Sequence, residues 1–500
     1  MHRPVVAISV LSLCLATTLR AQCPDGTPPP CAGAAALARP APNSIAVLTF
    51  ENTTHDPSAQ YLAEGLADQI SSRLGGVARL TMISRTAVRR LRNPEQVSVQ
   101  QLGRSLNAAY LVSGFIRVAG GRVRVNVEAV RAATGEAVWS SPFDRASDDL
   151  IGLEEAIATE VAAGVAGRLS PAERRSLGGR VTTSSAAYEQ FLRGNVLMAR
   201  RTSAALRNAI AAYRAATAAD SGFADAYGRL AYAYALCSNW DCLSDSASLL
   251  PARSREAATR ALRLDVRSSD AWMGRAYLLA VWFGGDGLAG GDSVLEALAA
   301  FRRALAFNPR NDEAWHQYGG TLRVVSDSAS VDALRHALAL DPARGVTYVD
   351  LSMTYYHMGR NDLSLATIDS AFALEPEAFH GYRVLPRLTA GDTAGAVDDA
   401  LRAPRDARSR VVLALFARDS GAARALEERL AQPGCSHDLL VYLIWTGRRE
   451  RAVQRLLECG PAVGRALEME WPYLAPLAND PRIQALRARS DTILARVRWR

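Results

Sequence analysis

Two periods of apolar residues divide the chain. Between residues 45 and 143 the period is that of strands: Ile45-Ala46-Val47-Leu48-Thr49-Phe50 is a continuous apolar run suited to a buried strand, and Arg122-Val123-Arg124-Val125-Asn126-Val127 alternates strictly, leaving one face wet and the other packed. Further strands are expected over 80–84, 109–118 and 136–143, with Gly120-Gly121 and Thr134-Gly135 as turns. Helices are expected over 58–74, 99–106 and 148–169, and together these elements make a mixed sheet with flanking helices.

From residue 187 the apolar spacing becomes three and four. Ala300 to Phe307, Ala333 to Leu340 and Ala366 to Leu374 repeat one alanine-rich text, each closed by Asn308-Pro309, Asp341-Pro342 or Glu375-Pro376, with the prolines 33 and 34 residues apart. Proline just past such a stripe stops the helix. After Pro342 a second apolar helix runs from Val346 to Met358, and Gly359-Arg360-Asn361 turns the chain into the next run. The unit is helix, turn, helix, proline. Such a pair cannot bury its apolar face alone, so neighbours must stack into a superhelix with an inner groove.

The expected fold class is therefore an α/β amino-terminal domain, a mixed sheet with flanking helices, followed by an all-α superhelix. A helix restarts at Ser170-Pro171-Ala172-Glu173, and the array begins with Tyr188, Phe191 and Leu192 on one helix. Insertions fall at 237–251 and 283–292, the period blurs after residue 400, and 439–448 with 452–457 again read as a helix pair.

The repeat resembles the tetratricopeptide repeat, with Tyr348, Leu351, Tyr355, Gly359, Ala371 and Pro376 at that family's spacings and Ser352 and Ser364 standing where Gly or Ala is usual. A second resemblance lies upstream. Ile45 to Asn52, Tyr61 to Ile70, Leu102 to Leu106, Tyr110 to Gly114 and Ala133-Thr134-Gly135 look like the TolB-like amino-terminal domain related to FlgO and CsgG, with Thr49 where proline is common. That resemblance implies an interaction module without known catalytic residues, coupled to tetratricopeptide repeats. Its cyclase-, kinase- and DNA-binding-linked relatives carry those activities in an additional domain.

The resulting division is 1–21 signal peptide, 22–44 Pro/Ala-rich linker, 45–169 TolB-like domain, 170–186 connector, 187–465 repeat array and 466–500 capping helices. The start has His2 and Arg3, then an apolar run from Val5 to Ala16, then Leu19-Arg20-Ala21, which reads as a secretory signal cleaved before Gln22. The alternative is an uncleaved signal anchoring the protein to the inner membrane, although spanning takes about 20 apolar residues. The expected location is periplasmic or secreted, with association with the cell envelope. Six cysteines remain after cleavage, paired by proximity as Cys23 with Cys31, Cys237 with Cys242 and Cys435 with Cys459; free buried thiols are the alternative.

Net charge is +8, yet the chain has no lysine, and its 58 basic residues are scattered among 50 acids. Nucleic acid is not expected as a partner. The missing lysine excludes a Walker lysine, a Schiff base and a kinase lysine. Gly285-Asp286-Gly287-Leu288-Ala289-Gly290 matches a dinucleotide fingerprint but follows a helix instead of a strand. Gly291-Asp292-Ser293 is similar to an esterase block, making Ser293 the nucleophile of an alternative serine hydrolase, or it caps a helix starting at Val294. His316, His336, His357 and His380 lack metal-ligand spacing, so neither metal nor cofactor is expected. Trp272, Trp315, Tyr348 and Tyr355 read as inter-helix core.

The leading expectation is an exported, non-catalytic scaffold that binds a protein or peptide, with no small-molecule substrate, through groove residues His316, Arg323, Val349, Met353 and Tyr356. The alternative of another class is a regulatory subunit for a signalling enzyme on a separate chain. Export has a direct check: intact mass of the protein recovered from its native compartment should begin at Gln22, and a cytosolic species beginning at Met1 would refute it.

Overall fold

The computed structural model describes residues 40–54, 59–91, 94–178, 181–240, 242–243, 248–281, 291–432, 437–460 and 472–498. The signal and most of the linker, Cys23, Cys31, Cys435 and the glycine-rich 285–290 stretch lie outside them.

The sheet contains β1 (Ser44–Val47), β2 (Glu51–Asn52), β3 (Thr81–Met82), β4 (Tyr110–Ala119), β5 (Arg122–Arg131) and β6 (Ala137–Ala146), in the order β3-β1-β4-β5-β6 with β2 also paired to β4. β1 and β2 run parallel to β4, and β4, β5 and β6 are antiparallel neighbours. The single strand expected over 45–50 is thus two short ones. Val47 faces Val112 and Glu51 faces Phe115, so the first strand carries one residue more than β4 between the paired positions, and that bulge turns Phe50 into the core.

Five helices accompany the sheet: α1 (Gln60–Leu74), α2 (Arg85–Arg89), α3 (Val99–Leu106), α4 (Leu150–Ala166) and α5 (Pro171–Leu177). The alternation read in β5 is realised, since Val123, Val125, Val127 and Ala129 are buried in one cluster with α1 and α4. On the opposite face Ala46, Leu111 and Val130 pack with Val88 of α2 and Leu102 and Leu106 of α3. α2 had no counterpart in the sequence reading; one turn with a single buried residue, Val88, leaves no periodic trace. α5 starts as expected, with Pro171 in its first turn and a reciprocal Ser170–Glu173 capping box.

The rest is a long array of stacked helix pairs, a tetratricopeptide-like superhelix. The described residues give eight pairs, from Ser185–Ala199 with Ser203–Ala219 to His437–Trp445 with Arg449–Cys459, followed by Pro481–Arg498, which returns against Gly291–Phe307. Gly359 turns between the helices of one pair at φ +71°, where a side chain would be strained. Ser352 and Ser364, the departures from the repeat pattern, satisfy each other: Ser352 Oγ lies 3.0 Å from Ser364 Oγ and donates to its carbonyl at 2.8 Å. The period blurs after residue 400 because the arms shorten, with His380–Thr389, Thr393–Arg402 and Ala407–Phe416 having 10 residues each. Cys237 and Cys242 form a disulfide, as proximity suggested.

Sheet domain and array share one apolar core. A single cluster runs from Ile45 through α1 and α4 to Tyr188, Leu192 and on to Ala314. Inside that junction Glu154 of α4 is fully buried, accepts a hydrogen bond from Tyr188 Oη and lies 3.6 Å from Arg73 Nε, while its Oε1 has no partner among the described residues. Burial pushes its carboxyl up to about 8 despite Tyr188 and Arg73, so it is largely protonated at neutral pH.

A folded-state value above the ordinary 4.5 means that Glu154 contributes stability fully below about pH 4.5, and that this contribution fades as pH rises and is gone above about pH 8. Glu154→Gln should remove the loss. Urea unfolding at several pH values is expected to show the variant gaining on the natural protein between about pH 5 and 8, by on the order of a few kcal/mol.

Candidate partner-binding surface and its polar seam

Asn311 caps Asp312–Leu322, its side chain accepting from the Ala314 amide, and so puts Asp312, Glu313, His316 and Gln317 on the opening turns. Arg344 immediately precedes the next first helix, Gly345–His357, and Arg201 sits at φ +51° in the turn after Ser185–Ala199. These three places converge on the buried Glu313. Its Oε2 accepts from Arg201 Nη2 and from Arg344 Nη1 at 2.5 Å, and its Oε1 accepts from Tyr232 Oη at 2.5 Å and Gln317 Nε2 at 3.0 Å. Arg344 also pairs with Asp312 and lies 3.5 Å from Asp341.

Burial alone would raise the Glu313 carboxyl, but Arg201 and Arg344 outweigh it and hold the group well below the usual carboxylate range. Arg344 is correspondingly pushed well above its ordinary value by Glu313, Asp312 and Asp341 against its own desolvation. The seam is charged and internally paired, two guanidinium groups against three carboxylates.

Next to it His316 is buried, with Nδ1 3.2 Å from Thr347 Oγ1 and Nε2 3.5 Å from Asp350 Oδ2. Burial lowers its pKa, leaving a neutral imidazole at neutral pH. Arg323 Nη1 reaches Asp350 Oδ1 at 3.5 Å, and both of these side chains keep 25% of their surface in water. Met353 is half-buried one turn further along the helix that carries Asp350.

Three of the five expected groove residues, His316, Val349 and Tyr356, are buried. Val349 is 1% exposed, packed with Ile368 and Ala371, and Tyr356 is 2% exposed, packed with Leu385 and Val411, its hydroxyl 3.1 Å from Thr389 Oγ1. The reason is the stack: Gly345–His357 is flanked by Asp327–Leu340, Asn361–Leu374 and His380–Thr389, so three of its faces are covered. Leu351 and Tyr355 are buried as expected, whereas Tyr348, also expected inside, is only half-buried, and with Val346, Asp350 and Met353 it is what this helix shows to water. His316 and Arg323 lie together on the preceding first helix or its end, but the histidine is inside.

Ser293 is half-buried within Gly291–Phe307, a helix that starts three residues earlier than expected, and among the described residues no hydrogen bond joins it to a histidine. Cys459 ends Arg449–Cys459, but its expected partner Cys435 lies outside the described residues. The His336 ring lies tilted against Trp315 with centroids 4.2 Å apart, and His380 Nδ1 lies 2.7 Å from Asp399 Oδ1. No group of three metal-ligating side chains occurs among the described residues.

Arg201, Glu313 and Arg344 were missed in the sequence. The signal was weak: an acidic pair opening one helix and an arginine before the next. The partners are 112 and 31 residues from Glu313, a distance that no local pattern encodes.

Residues 41–160 match the family model described as the second domain of HilA/YgeH-like transcriptional regulators. A curated protein of Rhizobium meliloti (strain 1021), named putative adenylate cyclase 3, is 27% identical over 154 residues, 31% of this chain and 26% of that protein. The chain thus spans about a quarter of that relative's length. Among solved structures, a tetratricopeptide-repeat protein of Thermus thermophilus is 20% identical, with 40% of this chain and 97% of the other covered at a TM-score of 0.33. The pilF protein of Pseudomonas aeruginosa is 13% identical, with 49% and 97% covered at 0.33. Lipoprotein GNA1162 of Neisseria meningitidis is 16% identical, with 26% and 99% covered at 0.21. These likenesses concern fold alone and carry no argument about what the chain binds.

Removing one partner from a buried pair leaves the other uncompensated, which costs about 3–5 kcal/mol. Glu313→Ala should therefore lower chemical-unfolding stability by about that much. Arg323→Ala, on a side chain still in contact with water, should stay within about 1 kcal/mol.

Proposed function

We propose that the protein is an exported scaffold that holds a protein or peptide along the first helices of its repeat array, with a TolB-like domain built into the array's core. The observation that carries this reading is the line Arg323–Asp350 joining consecutive first helices, partly open to water beside Met353. A mixed apolar and charged strip on a rigid support suits a peptide, because a buried apolar anchor supplies affinity and the flanking charges set its direction. The disulfide Cys237–Cys242 supports an oxidising compartment, and no helix among the described residues is long and apolar enough to cross a membrane.

A second reading, a regulatory subunit of a signalling enzyme on another chain, is favoured by the likenesses to a putative adenylate cyclase and to a transcriptional regulator's second domain. Localisation and partner identity separate the two.

The test replaces Met353 with a photo-crosslinking amino acid in the full chain and identifies what it captures in envelope and cytosolic fractions. One envelope protein captured reproducibly, with yield falling roughly tenfold when Arg323→Ala is added, is the expected result. Capture indifferent to Arg323→Ala would overturn the site, and capture of a cytosolic cyclase or kinase would replace the first reading with the second.

A further inference from the structure

The sheet domain is attached to the array twice, by different chemistry. The first attachment is the largely apolar core already described, where α1 and α4 pack on Ser185–Ala199 and Tyr188 and Tyr61 donate to Glu154 and Glu189 across the contact. The second lies far along the array, where residues 80–90 cross three consecutive proline turns. Leu80 O accepts from Arg310 Nη1 at 3.4 Å, Ser84 Oγ donates to Asp341 Oδ1 at 2.6 Å, and Arg90 donates to Leu374 O at 2.7 Å and to Glu375 Oε1 at 2.5 Å. Each of the three turns Asn308-Pro309, Asp341-Pro342 and Glu375-Pro376 thus meets the same short segment, in order.

This second attachment is polar. Within the segment Ile83, Ala87 and Val88 pack in the sheet domain's own cluster with Leu102 and Leu106, while Leu80 and Met82, in and beside β3, pack in the core that the sheet domain shares with the array. Its release would strand little charge: Glu375 is already 39% exposed, and Asp341 keeps the Ala343 amide at 3.1 Å and Arg344 at 3.5 Å. Release would also be felt at a distance. Asp341 leads through Arg344 to Glu313 and on to Arg201, so one run of ion pairs connects the segment to the polar seam across the repeats.

We propose that residues 80–90 form a releasable latch that clamps three consecutive repeat turns to the sheet domain and opens without disturbing the apolar attachment at Ser185–Ala199. Latched, the domain fixes the relative tilt of the repeats ending at Pro309, Pro342 and Pro376. Opened, it frees that edge and lets those repeats shift. Sub-global opening of this kind occurs where hydrogen bonds outnumber apolar contacts. The idea does not depend on the partner reading above, because it concerns the chain alone.

The test is amide hydrogen exchange of the full chain, natural against Ser84→Ala/Arg90→Ala, with a third sample of natural protein in high salt. Both substitutions sit on half-exposed side chains outside the apolar clusters. Exchange should rise roughly tenfold or more in 80–91 and in the openings of the helices after Pro342 and Pro376, while α1, α4 and Ser185–Ala199 stay unchanged. High salt should move the same segments in the same direction, since it screens the half-exposed Arg90–Glu375 pair. Exchange unaltered in the variant overturns the latch, and so does a uniform rise that includes α1 and Ser185–Ala199, which would make the two attachments one.

Discussion

The contact on which the molecule depends is the one between α1 and the first array helix, where Gly65 lies so close to Leu192 that an added Cβ would sit 3.3 Å from the leucine Cβ. Around it a sheet domain and a repeat array that would each leave an apolar face in water bury those faces against one another. A repeat array needs a cap at each end, because its terminal pairs have no neighbour on one side. Here the sheet domain is the amino-terminal cap, with α1 and α4 in the place of a preceding pair. The fully buried Glu154 inside that junction, held by Tyr188 and Arg73, is a cost the apolar contacts around it must offset.

The charges of the array follow from its arginines. A guanidinium presents five donors in a planar fork, so one side chain can serve several carboxylates or carbonyls while buried. Arg344 does this for Asp312, Glu313 and Asp341, and Arg383 places Nε and Nη2 each 2.8 Å from the oxygens of Asp399. An ammonium has no such reach. In a chain without lysine the seams between repeats are therefore bidentate and directional, which fixes how one pair sits on the next more tightly than apolar contact alone.

Arginine also serves where the amino-terminal domain meets the array a second time, through Arg90 and Arg310. At Ser185–Ala199 the contact is largely apolar, with the Tyr188–Glu154 and Tyr61–Glu189 hydrogen bonds set into it, whereas at the proline turns it is made by Ser84 and Arg90 with acceptors that recur once per repeat. A repeat protein presents equivalent groups at equal intervals, and a short segment laid across them can bind several at once. That is a surface suited to recognition, and here part of it is taken by the chain itself.

The sequence by itself determined the periods. Strict alternation in Arg122 to Val127, the 3-and-4 stripes before Pro309, Pro342 and Pro376, and the near pair Cys237 and Cys242 are local patterns, and each became the strand, helix pair or bridge it implied. Short range is what a period encodes. Tertiary structure alone decided which helix faces meet water and which charges meet each other. Tyr356 stands on a face that a helix pair leaves open and that the next repeat covers with Leu385 and Val411, whereas Val349 is buried within its own pair against Ile368 and Ala371. Glu313 depends on Arg201, 112 residues away, and Asp341 on Ser84, 257 away, and such pairings exist only once the stack and its cap have been assembled.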